Sequence, residues 1–206
     1  MAMTTPGRLS SIAIYLCAFV VGGVLMGFEM LGSRYLFPYF GGGIGTWASL
    51  ISTVLCALAI GYFIGGAIVD RYPSPKIVAV AILIAAVYLA FVPLTADRIM
   101  SQILDAMGDG PSPILLACAA LLLVPLSLLG TFSPVAVRLL TRSAEEAGRV
   151  AGFVYGISTL GNVVGTLFTT FTLIPTIGSR SITYLYALTL ACCAGILFLP
   201  VGKRSS

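Results

Sequence analysis

Polar positions in this chain fall into short clusters rich in glycine, proline and charge, and long apolar runs lie between them. A helix that spans a bilayer takes about 20 mainly apolar residues. Runs of that length predict helices centred near residues 22, 57, 85, 124, 163 and 191. Composition agrees: 59% of the 206 residues are hydrophobic, 9% are charged, and the mean hydropathy is +1.08. These values lie outside the range of soluble globular domains, so lipid is the expected solvent and a water-soluble catalytic fold is excluded. The expected fold is all-α and integral to the membrane, with six transmembrane helices in one domain over residues 1–206. The first run is too long for a signal peptide, lacks a small-residue cleavage site and reads as a retained helix.

Local signals set the expected boundaries. The first helix runs from about Ser11 to Leu36 and ends at Pro38, before the glycine-rich stretch Gly41–Gly45. Trp47 opens the second helix at the outer interface, where both its apolar ring and its N–H are accommodated. The third helix ends at Pro93, leaving residues 95–113 as the longest and most acidic loop. Its Asp97, Asp105 and Asp109 read as a solvated loop or as an attractor for cations. Pro134 removes a backbone donor and predicts a kink or break in the fourth helix. The fifth helix is the most polar and carries two small-xxx-small steps, Gly152/Gly156 and Gly161/Gly165, which suit close helix packing.

Charge sets the expected orientation, because basic residues in short loops stay on the cytoplasmic side. Arg8, Arg71, Lys76, Arg138, Arg142, Arg149, Lys203 and Arg204 fall on one side. Only Arg34, Arg98 and Arg180 fall on the other, with the three aspartates. Both termini are thus expected in the cytoplasm. The net charge of +4 follows from this topology and gives no support for nucleic-acid binding, which needs a concentrated basic face. The five cysteines lie in predicted spans and show neither a disulfide framework nor zinc spacing, and histidine is absent. No metal and no cofactor are expected.

Glu29 is the one acidic residue deep inside an apolar run, and Arg34 follows it. A charge in lipid is costly and marks a candidate site. Five residues on a regular helix correspond to about 140° of rotation, so direct pairing requires Gly32 and Ser33 to loosen the last turn. Otherwise Glu29 bridges to another helix, with Asn162 or Tyr155 as partners. Asn162 also needs partners for its amide in hydrocarbon, either by helix packing or by lining a solute path.

The spacing Gly66-x-x-x-Asp70-Arg71, followed by Lys76, resembles the loop between the second and third helices of the major facilitator superfamily. Longer strings carry a second likeness: Phe28–Gly41, Gly61–Gly66 with Asp70-Arg71, Ser133–Arg138, Gly148–Gly152, Ser158–Gly161 and Leu173–Arg180. Together they resemble the membrane half of the fused transporter-like spermidine synthase proteins of bacteria.

This resemblance implies a half-major-facilitator bundle with a 3+3 pseudo-repeat in the bacterial inner membrane. It places Glu29, Arg34, Asp70, Arg71, Arg138 and Arg149 at recurring polar positions without settling their roles. The synthase half that follows in the fused proteins is not present in these residues, nor is a glycine-rich cofactor loop, so no enzyme activity is expected of this chain. Two functions follow. One is transport of a small cation, proton or polyamine-type amine by a homodimer. Glu29, Arg34, Asn162 and Tyr155 then lie on the path, and Asp70, Arg71, Arg138 and Arg149 gate it. The other is a membrane platform that docks a separately encoded synthase-like or methyltransferase-like enzyme through Arg138, Arg142, Glu145, Glu146 and Arg149.

Overall fold

The computed structural model describes residues 8–198, and the expected placements of Lys203, Arg204, the Arg8 side chain and both chain ends lie outside what it describes. Six helices account for nearly all of it: α1 (Arg8–Phe40), α2 (Ile44–Arg71), α3 (Pro75–Met107), α4 (Pro111–Leu140), α5 (Ala144–Thr176) and α6 (Ser179–Phe198). Each is long and apolar enough to cross a membrane, and no strand occurs among the described residues. The turns between them are short, at residues 41–43, 72–74, 108–110, 141–143 and 177–178. Two turns begin with a glycine at positive φ, Gly41 at 68° and Gly108 at 72°, a conformation that disfavours any side chain. Their N–H groups return to Phe37 O at 3.0 Å and Leu104 O at 2.8 Å, which satisfies carbonyls at the helix ends.

Two expected boundaries are wrong for the same reason. α1 continues through Pro38 to Phe40, and α3 continues through Pro93 to Met107, so the acidic loop shrinks to residues 108–110. A proline removes one hydrogen bond, but packing of the following turns outweighs it. Beyond Pro93, Ala96 and Met100 are buried, with Ile99, Ile103 and Leu104 packed beside them. Asp97 and Asp105 are therefore helical. The break expected at Pro134 is present three residues earlier, where Thr131 forms a turn between two α-helical stretches of α4.

The helices pair with partners distant in sequence. α1 packs chiefly on α5 and then to a similar extent on α6 and α4, α2 packs on α4, and α3 packs on α6 and next on α4. Exchanging the first three helices for the last three leaves this set of pairs unchanged. α1 and α5 run parallel, as do α2 and α4. The end of the bundle that carries turns 72–74 and 141–143 is called the basic end below, and the opposite end the acidic end.

The same device builds both parallel pairs. On α5, a β-carbon at Gly161 meets the backbone of Phe19, and one at Gly165 lies 2.5 Å from the Gly23 Cα. On α2, a β-carbon at Gly61 lies 2.9 Å from the Gly130 Cα, and one at Gly65 lies 2.8 Å from the Thr131 Cα. Lipid tails are as apolar as leucine, so close backbone packing at small residues holds such helices together. The other step on α5, Gly152/Gly156, has open space around it. Gly165→Val is expected to destabilise the protein by about 1–3 kcal/mol through overpacking. Gly156→Ala stays within about 0.5 kcal/mol of the parent. Unfolding of both variants in detergent, followed by size exclusion after heating, checks the contrast.

Candidate functional site

α1 is regular throughout, and its positions 22, 25, 29 and 32 form one stripe at helical spacing. Gly32 faces Leu50 of α2 and Leu122 of α4, with a β-carbon there 3.3 and 3.4 Å from their methyl groups. Gly22 and Leu25 line a pocket of about 20 Å³ together with Tyr62 of α2, Ser133 of α4, and Ser158 and Asn162 of α5. Glu29 lies between these contacts, so it belongs to the face of α1 turned to the centre of the bundle. It is 6% exposed and forms neither a hydrogen bond nor an ion pair with any described residue.

The helices around Glu29 are irregular at its depth, although α1 is not. Residues Ala119–Leu123 of α4 and Thr169–Leu173 of α5 each form a π-helical turn. Leu122 of the first faces Gly32 on the stripe that carries Glu29, whereas Thr169 of the second faces Gly27, about 200° around the helix from Glu29, so the two turns share its depth but lie on different sides of α1. π turns widen a helix and leave carbonyls without their usual donors. In each case a proline follows the turn after one intervening residue, at Pro125 and Pro175. The Ala120 carbonyl would accept from residue 125 in a π turn, but proline has no N–H to give. The Tyr88 hydroxyl of α3 donates to that carbonyl instead. Thr169 donates to Gly165 O at 2.5 Å and shares a hydrogen bond with the Tyr186 hydroxyl of α6.

Two further polar groups are unpartnered here: the buried hydroxyls of Thr53 on α2 and Thr170 on α5 have no hydrogen-bond partner. Leu50 faces Gly32, and α2 runs antiparallel to α1, so Thr53 lies level with Glu29. Thr170 sits inside the π turn of α5 at the same depth. Sequence reasoning missed both threonines, the π turns and Tyr88; the signal that could have found the turns is the pair Pro125 and Pro175.

The other candidate residues separate. Arg34 is exposed, and the pairing with Glu29 that a loosened turn would allow does not form; Ser33 instead donates within the helix to Met30 O at 2.7 Å. Asn162, with its amide oriented to suit its surroundings, donates to Gly22 O at 2.8 Å and Ser158 O at 3.3 Å. It joins α5 to α1 rather than bridging to Glu29. Tyr155 is likewise not a partner of Glu29: its ring meets Tyr62 edge to face, 6.3 Å between centroids, across the gap between α5 and α2. At the basic end, Asp70 and Arg138 approach to 3.9 Å and link α2 to α4, while Arg71 and Arg149 are exposed. At the acidic end, Arg180 pairs with Asp97 at 2.5 Å, and Tyr35 shares a hydrogen bond with Thr183 at 2.9 Å, so α6 is tied to α3 and α1.

Cys17, Cys118 and Cys193 are buried as small apolar groups, and all five cysteines are free thiols. Among the described residues no cluster of metal-ligating side chains converges. Six membrane-length apolar helices around a buried carboxylate define a multi-pass membrane protein. No family profile, curated protein or solved structure matches the chain. Tyr88→Phe is expected to orphan the Ala120 carbonyl and lower stability by about 1 kcal/mol; thermal unfolding in detergent, with Tyr184→Phe as an exposed control, checks it.

Proposed function

We propose that the chain is a transporter of a small cation, proton-coupled or not, and that Glu29 is the site at which the cation or proton rests. One observation carries this: a carboxylate buried among membrane-spanning helices, with no arginine, lysine or hydrogen-bond donor on it among the described residues. A purely structural carboxylate in lipid is expected to have a partner, because an unpaired buried charge costs several kcal/mol. The unpartnered hydroxyls of Thr53 and Thr170 lie at the same depth, and Thr53 is level with Glu29 on the antiparallel helix α2. The small polar pocket with Ser133, Ser158 and Asn162 lies on the same stripe of α1, about one to two turns nearer the basic end.

The working unit in this reading is a homodimer. α2 and α5 are the spans least covered by the rest of the protein, and the Gly152/Gly156 step of α5 offers a second helix a close approach. The symmetric pairing of the first three helices with the last three fits the half-major-facilitator likeness, and polyamines enter as candidate cargo only through the name of the spermidine synthase proteins that the chain resembles. The clustering of Arg71, Lys76, Arg138, Arg142 and Arg149 supports a cytoplasmic basic end in a bacterial inner membrane. Asp70 and Arg138 then form a latch there, weak in water because both side chains are exposed. In this reading the chain has no catalytic role.

The platform reading has its own support in the exposed Arg142 and Glu145 beside Arg149, a charged surface open to a soluble enzyme. Flux separates the two. Purified protein in liposomes is expected to move protons or a labelled small amine. Glu29→Gln should abolish this while leaving the thermal midpoint unchanged or higher. Absence of flux for both solutes, or undiminished flux in Glu29→Gln, overturns the assignment. For orientation, Arg142→Cys in a chain stripped of its native cysteines is expected to react with an impermeant maleimide from the cytoplasmic side alone.

A further inference from the structure

A second cavity lies on the flank of the α1–α5 contact, away from the small polar pocket. It is an open groove of about 610 Å³ between Ile12, Leu16 and Phe19 of α1 and Phe153 and Ile157 of α5, and Arg149 closes one end. Its walls are apolar and outward-facing, with Leu16 62% and Phe153 58% exposed. Its one charge is the Arg149 guanidinium, which has no ion pair with any described residue; Glu145 and Glu146, a turn nearer the helix start, do not pair with it.

The groove is ordered along its length, with the cation at the basic end and hydrocarbon beyond. Arg149 to Ile157 covers about 12 Å of helix at 1.5 Å per residue, and Phe19 extends the apolar wall further. One leaflet of hydrocarbon is about 15 Å deep, so the groove matches a single acyl chain whose headgroup stays at the surface.

The geometry points to a binding site for one anionic phospholipid, its acyl chain in the α1–α5 groove and its phosphate on Arg149. The phosphate accepts paired N–H bonds from the planar guanidinium, which a lysine matches less well. The chain lies against Leu16, Phe19 and Phe153. A free phosphate gains only the first of these contacts, and a zwitterionic lipid places a choline cation close to the arginine. The site is separate from Glu29 and does not depend on the transport reading.

Native mass spectrometry of the full chain in detergent, titrated with phosphatidylglycerol or with phosphatidylcholine of the same acyl chains, tests this. The expected result is one tightly retained phosphatidylglycerol, bound at least fivefold more tightly than phosphatidylcholine. Arg149→Gln should weaken it roughly fivefold, the effect of one basic residue at an anionic lipid surface. Leu16→Trp fills the groove and should weaken binding with the charge intact, while Arg71→Gln at the neighbouring turn leaves it unchanged. Size exclusion and thermal midpoint establish that each variant is folded, and if Arg149→Gln does not fold, Leu16→Trp and Arg149→Lys decide. Equal retention of both lipids, unchanged binding in Arg149→Gln and Leu16→Trp, full competition by glycerol 3-phosphate alone, or burial of the groove in a stable dimer would each overturn the proposal.

Discussion

Helices dissolved in lipid gain nothing from hiding one apolar surface against another, so their association depends on how closely their backbones approach. This protein meets that constraint twice in the same way. Gly161 and Gly165 bring α5 onto the backbone of α1 at Phe19 and Gly23, and Gly61 and Gly65 bring α2 onto α4 at Gly130 and Thr131. The two contacts set the separation of the parallel pairs, and with it the space left between α1, α2, α4 and α5. The stripe of α1 that carries Glu29 faces that space, while the side of the helix at Gly27 is turned to α6 and to the later part of α5.

Within that frame the departures from regular helix are concentrated at one level. An unbroken α1 presents the carboxylate on one face, while α4 and α5 each open a wider turn at the same depth. Prolines that follow these turns prevent the usual ladder from re-forming, and side-chain hydroxyls take over part of the bonding: Tyr88 serves the carbonyl of Ala120, and Tyr186 serves Thr169. Backbone groups at membrane depth must find partners inside the protein. The bundle supplies them from α3 and α6, the two helices that do not touch the polar pocket.

The number of helices and their approximate centres were legible because the apolar runs are long and the interruptions short. The ends were less so. Pro38 and Pro93 are strong local stop signals, yet tertiary packing carries both helices past them, and no local rule reports what Ala96 and Met100 will touch. Gly152/Gly156 and Gly161/Gly165 look alike in sequence, and one step packs while the other stays open, because the difference lies in the position of α1. Glu29 was legible as an outlier in hydropathy. Its isolation from Arg34 was half legible, since a regular helix turns the two apart. Asn162 was legible as a residue in need of partners, but the partner, a carbonyl of Gly22, depends on a parallel register between helices far apart in the chain.

That long-range pairing has a consequence for assembly. The helix that carries Glu29 meets its main neighbour only after residues 41–143 have been made and inserted, since α5 begins at Ala144. A chain emerging from the ribosome therefore holds its carboxylate in a half-built bundle while four more spans arrive. In the order of synthesis α1 precedes the other five helices described here, yet it is among the last of them to be fully enclosed.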